Sequence, residues 1–116
     1  MKMNDYQKAA LETAVYPGAG TAIAMSYIAH KLAGEAGEFS EHLGKAMRDD
    51  NYIVETDTLT DSRETLMLKE LGDVLWYIAA AAHEMGYSLS AIAEMNIEKL
   101  KDRKRRNVLR GSGDER

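Results

Sequence analysis

Glu70-Leu71-Gly72-Asp73-Val74-Leu75-Trp76-Tyr77-Ile78-Ala79-Ala80-Ala81-Ala82 is the stretch on which the fold turns. Read as a helix at about 100° per residue, Leu71, Val74, Leu75 and Ile78 fill an arc from roughly 40° to 140° measured from Glu70. Asp73 then falls near 300°, Tyr77 near 340° and Trp76 near 240° on the same rough scale. No charged residue interrupts Val74 to Ala82. A helix apolar on every side is buried on every side, more than four short helices of one subunit can cover. The stretch therefore predicts a homo-oligomer in which this helix packs its small alanine faces against another subunit.

The opening of that stretch has a twin. Glu35-Ala36-Gly37-Glu38-Phe39 and Glu70-Leu71-Gly72-Asp73-Val74 both read acid, small or apolar residue, glycine, acid, apolar residue. Acids three apart on a helix lie about 60° apart on adjacent turns. Measured from Glu35, Leu32, Phe39 and Leu43 sit at roughly 40° to 80° and Glu38 near 300°, so both helices carry their acids on the same flank of an apolar stripe. Two such helices, related by an approximate two-fold axis and packed antiparallel, bring four carboxylates together. Unneutralised carboxylates repel and take up protons, so the arrangement calls for a cation. Hard oxygen donors suit magnesium, or manganese, rather than zinc. The plainer reading pairs these acids with Lys31, Lys45 or Lys69 at the surface, and the doubled phrase argues against it. Mid-helix Gly37 and Gly72 each cost about 1 kcal/mol relative to alanine, for which a close backbone approach at the site is one reason and chance the other.

Outward from these helices the pattern stays all-α. Asn4 or Asp5 is placed to cap a first helix through about Ala14, and Tyr16-Pro17-Gly18-Ala19-Gly20 reads as a turn. The second helix is expected from about Thr21 to Met47, a polar loop from Arg48 to Thr60, and the third helix from about Asp61 to Met85, stopped by Gly86. Ser88 or Ser90 caps a fourth helix reaching about Arg105, and Gly111-Ser112-Gly113-Asp114 ends the chain irregularly. The expected fold is a four-to-five-helix bundle in a single domain, residues 1–116, with a basic tail over about 104–116.

Composition narrows the class. The chain has 116 residues, 45% of them hydrophobic, and no cysteine, which excludes disulfides, thiolate metal sites and cysteine nucleophiles. Without a signal-peptide apolar region or an apolar run of spanning length, a soluble cytoplasmic protein is expected. Charge is divided unevenly: eight Lys/Arg against three acids from Lys99 to Arg116, and seven against sixteen before them. An acidic body repels a polyanion, which speaks against nucleic acid. A basic segment folding back over an acidic metal site, to meet a small phosphorylated ligand, accounts for both signs.

On the fourth helix Asn96, Lys99 and Arg103 share a face, and such residues can meet phosphate or sugar oxygens; a solvated helix end complementing the macrodipole is the bland alternative. Tyr77, one turn beyond Asp73, is placed either to donate to a phosphate or simply to pack. Trp76 points away, toward core or interface. His42 holds on the second helix the place that Tyr77 holds on the third, where it can stand behind the acids.

These residues resemble a family. Glu35-x-x-Glu38, a loop, then Glu70-x-x-Asp73 within Glu-Leu-Gly-Asp-Val-Leu-Trp-Tyr is similar to the signature of MazG-like nucleotide pyrophosphohydrolases, in the all-α NTP pyrophosphatase superfamily. Asn96-Ile-Glu-Lys99-Leu resembles that family's fourth-helix motif, and Arg110-Gly-Ser-Gly-Asp-Glu-Arg116 resembles the tails of small phage-type members. The resemblance implies an all-α dimer or tetramer that hydrolyses (deoxy)nucleoside triphosphates to the monophosphate and pyrophosphate, a metal-bound water attacking the α-phosphorus. Carried over by position, Glu35, Glu38, Glu70 and Asp73 would hold magnesium, while Asn96, Lys99, Tyr77 and Arg103 would contact the nucleotide. Glu38 or Glu35 would orient the water as general base, Glu38 being preferred. Residues 39–69, between the acid pairs, are long for the family, which leaves substrate choice open. Two other readings stand beside this one: a phosphoribosyl-ATP pyrophosphohydrolase, and a non-catalytic helical interaction module assembled by metal.

Overall fold

Thr60 and Ser88 each turn a side-chain oxygen onto the first free amides of a helix, accepting from Arg63 N and Ala91 N. Such caps, with the apolar stripes behind them, set the architecture of the computed structural model, which describes residues 1–56 and 58–116. Among the described residues four α-helices follow in order: α1 (Met3–Leu11), α2 (Ala22–Asp49), α3 (Asp61–Glu84) and α4 (Leu89–Arg105), with one 3-10 turn at Val54–Thr56. No strand occurs among the described residues.

Helices α2 and α3 form the long antiparallel pair that the doubled phrase requires, tied by Arg63 to Asp50, His42 to Glu70 and Gly20 N to Glu84. The rise in one partner's number matches the fall in the other's. Helix α1 lies across α3 and α4, whereas α2 makes no contact with α4 among the described residues. Gln7 secures α1: buried, it donates to the carbonyls of Ala79 and Tyr87 and accepts from Leu89 N.

Three expectations are corrected. Neither Asn4 nor Asp5 caps α1, which begins behind Lys2 with no side-chain cap and stops at Leu11. Asn4 instead accepts from Ser90 N at 3.0 Å, adding a second cap to α4 from another helix. Helix α2 runs two residues further than Met47, into the stretch read as loop. Most of the alanine run of α3 is not left for a partner: Ala79, Ala80 and Ala82 are buried within the chain itself, and Ala81 is half-buried. What α3 leaves open is leucine, with Leu68, Leu71 and Leu75 all exposed.

Gly18 holds a φ of +69°, and a Cβ there would come within 2.6 Å of Ile23, so the turn entering α2 needs glycine. Gly37 and Gly72 differ: an added Cβ would meet nothing within 4 Å, so no close approach inside this chain explains them.

Candidate functional site

Glu35 and Glu38 stand one turn apart on α2, and Glu70 on α3 faces them. One carboxylate oxygen from each lies within 4.8 Å of the other two. The side chains of Glu35 and Glu70 are only 12% and 17% exposed, whereas Glu38 opens to solvent. Burial, then the charges of Glu38 and Asp73, push the Glu35 carboxyl above its ordinary range. Lys31, 3.7 Å from Glu35, offsets this only in part. Lys45 pairs with Glu41 instead, and Lys69 forms no ion pair among the described residues. Surface pairing therefore does not account for the cluster. Three hard oxygen donors around one point could together hold a metal ion.

Asp73 is not part of that group of three. It lines, with Glu35, an open cavity of about 430 Å³. The rest of the wall is Thr13, Val15, Tyr16, Tyr27, Trp76 and Tyr77. The structure thus places Tyr77 beside the acids, and burial, then neighbouring Tyr27, hold its hydroxyl above the usual range.

Trp76 corrects the expectation that it points elsewhere. It lines the same cavity, edge-on to Tyr77 at 4.9 Å and to Tyr16 at 6.2 Å. Its indole N–H donates to the Ala10 carbonyl at 3.1 Å and to Thr13 Oγ1 at 2.9 Å. The aromatic wall, with Tyr16 and Tyr27, went unseen in the sequence. The one local signal was Tyr16, directly before Pro17 in the turn.

Asn96, Lys99 and Arg103 are not brought to the acids within the chain. Asn96 and Lys99 line a separate groove with Ile92 and Met95. One oxygen of Asp114 lies 3.0 Å from Lys99 Nζ and 2.9 Å from Arg103. The buried Arg103 guanidinium also donates to the main-chain carbonyl of Asp114 at 3.1 Å. Lys99, then Arg103, hold the Asp114 carboxyl below the ordinary aspartate range. The tail therefore folds onto α4. Among the described residues it makes no hydrogen bond or ion pair with the four acids, contrary to a segment drawn over the metal site.

No helix among the described residues is long and apolar enough to cross a membrane. The model of the MazG nucleotide pyrophosphohydrolase domain matches residues 24–108, which hold all four acids and α4. The chain is 40% identical to the Gene 37 protein of Mycobacterium phage L5 over the full length of both. No solved structure matches it. A match across most of the chain, on a wholly helical framework, places this protein in the MazG nucleotide pyrophosphohydrolase family.

Proposed function

We propose that the chain hydrolyses nucleoside triphosphates, ribo- or deoxyribo-, to the monophosphate and pyrophosphate, with magnesium as cofactor and manganese as a substitute. One observation carries this reading: Glu35 belongs both to the carboxylate cluster and to the wall of the aromatic cavity, so a metal end and a base-sized end adjoin. Glu35, Glu38 and Glu70, with Asp73, would hold the ion. When bound, it would offset charge on the triphosphate and acidify a water.

The remaining steps belong to the protein. The Glu38 side chain makes no hydrogen bond or ion pair among the described residues, while Glu35 is held by Lys31 and Glu70 by His42. Glu38 therefore has carboxylate oxygens to spare, which supports it as the base that takes a proton from the attacking water. Tyr77 would donate to a phosphate oxygen, and the ring faces around the cavity offer stacking surface to a base.

Asn96, Lys99 and Arg103 are proposed to meet the sugar and phosphates. Asp114 supports this by example, because its carboxylate oxygen marks where an anion fits between Lys99 and Arg103. Since these residues lie apart from the acids in one chain, a second copy would supply them. The shape of the subunit favours such an assembly. Its radius of gyration is 17.3 Å, against about 13 Å for a compact chain of this length.

The test is pyrophosphate release by purified protein with magnesium across a nucleotide panel that includes phosphoribosyl-ATP. Release from a nucleoside triphosphate, abolished by Glu70→Ala or Asp73→Ala, is expected. Only inorganic phosphate, or no turnover, overturns the reading.

A further inference from the structure

Behind the carboxylate cluster runs a chain of four side chains that crosses between α2 and α3 three times. Asp50, at the end of α2, receives the Arg63 fork at 2.8 Å and 3.4 Å. Arg63, in the first turn of α3, points its remaining Nη1 at His42 Nδ1, 3.1 Å away. His42, back on α2 and 8% exposed, turns Nε2 to Glu70 Oε1 at 3.3 Å. The Arg63 and Asp50 side chains are 13% and 20% exposed, so the chain is sheltered along its length.

Elementary hydrogen-bond chemistry gives this chain a direction. A guanidinium is always charged and only donates. The nitrogen it faces must therefore accept, so His42 Nδ1 carries no proton. The ring proton then sits on Nε2, and His42 donates to Glu70. Reversing the order would set two donors against each other at Nδ1.

We infer that Asp50, Arg63 and His42 are positioning residues for Glu70: they fix the imidazole tautomer, and its N–H holds one carboxylate oxygen so that the other is presented to the cation. The inference rests on the metal-site reading above and adds residues to it that touch neither metal nor nucleotide. Partners of this kind orient a ligating group and characteristically change metal affinity by about 10- to 100-fold when removed. Asp50 has a second consequence here. It takes two of the Arg63 nitrogens, and Arg63 makes no ion pair with Glu70, which leaves that carboxylate to the ion.

Two measurements on the full-length, metal-free protein test this without turnover. A long-range proton–nitrogen spectrum should show His42 with its proton on Nε2, and the Nδ1–H form would overturn the inference. Calorimetric titration with manganese alone should show about a 10- to 100-fold weaker affinity in both His42→Leu and Arg63→Met. His42→Gln, which can accept from Arg63 and donate to Glu70, should recover most of it. Equal affinity in wild type and in Arg63→Met overturns the positioning role while leaving the metal site standing. Absence of manganese binding by the wild type overturns both. Should His42→Leu fail to fold, the comparison of His42→Gln with Arg63→Met decides alone.

Discussion

Arg103 grips Asp114 twice, through the carboxylate at 2.9 Å and through the main-chain carbonyl at 3.1 Å. A buried guanidinium thereby finds partners in a tail that is otherwise exposed. Arg103→Met should release the tail, so trypsin cuts at Arg105, Arg106 and Arg110 many-fold faster, while the helical circular dichroism stays unchanged. Unaltered cleavage would mean that other contacts hold the tail.

The same contact has a defined pH dependence. Lys99 and Arg103 lower the Asp114 carboxyl in the folded state. A depressed acid stabilises above its unfolded value and loses that contribution as pH falls through the folded one. The side-chain carboxyl carbon signal of Asp114 should therefore hold its position down through the ordinary aspartate range and move only below it. Movement near pH 5 would contradict the pairing.

Glu35 has the opposite sign. Burial and neighbouring acids raise its carboxyl, so its ionisation at neutral pH opposes folding of the metal-free chain. Glu35→Gln should raise the metal-free melting temperature at pH 7 and show little gain below pH 4. It should also remove the stabilisation that magnesium gives the wild type. Differential scanning calorimetry with and without magnesium reads all three.

Core and surface share the apolar side chains unevenly. Ile28 is the one large side chain fully buried among the described residues, while Leu68, Leu71 and Leu75 stand open on α3. Ile28→Ala should cost about 2–5 kcal/mol in urea unfolding. Leu71→Glu should leave that value nearly unchanged at low protein concentration but dissociate the proposed homo-oligomer in sedimentation velocity. A wild-type monomer at micromolar concentration would refute the assembly.

The chain has one tryptophan, and it lines the cavity. A non-hydrolysable nucleotide with magnesium should therefore change the Trp76 fluorescence directly. Tyr77→Phe should raise KM several-fold with a smaller effect on kcat. A fluorescence that does not respond would place the nucleotide elsewhere.

What could be read from the sequence was what repeats locally. The α2–α3 pair follows from apolar stripes at helical spacing, Thr60 and Ser88 mark helix starts through a side-chain oxygen that reaches an amide three residues on, and Gly86 marks an end through its positive φ. Asn4 could not be read this way, because its partner amide is 86 residues away and nothing nearby signals a cap lent to another helix. Trp76 was misdirected for a related reason. A wheel gives the angle from one axis, not the α1 segment and Tyr16 turn that wrap around to close a wall. His42 could be placed behind the acids, but not against Glu70 in particular. Arg63 could not, because its place depends on the register between the two helices.

Part of the cavity wall is written apart from the carboxylates of the proposed ligand site. The carboxylates all follow residue 34, whereas Thr13, Val15 and Tyr16 of the cavity wall precede residue 17. Substitutions in that early stretch can alter which base is welcomed without moving an oxygen donor. On the proposed reading, base preference would then be able to change while the metal-binding carboxylates stay as they are.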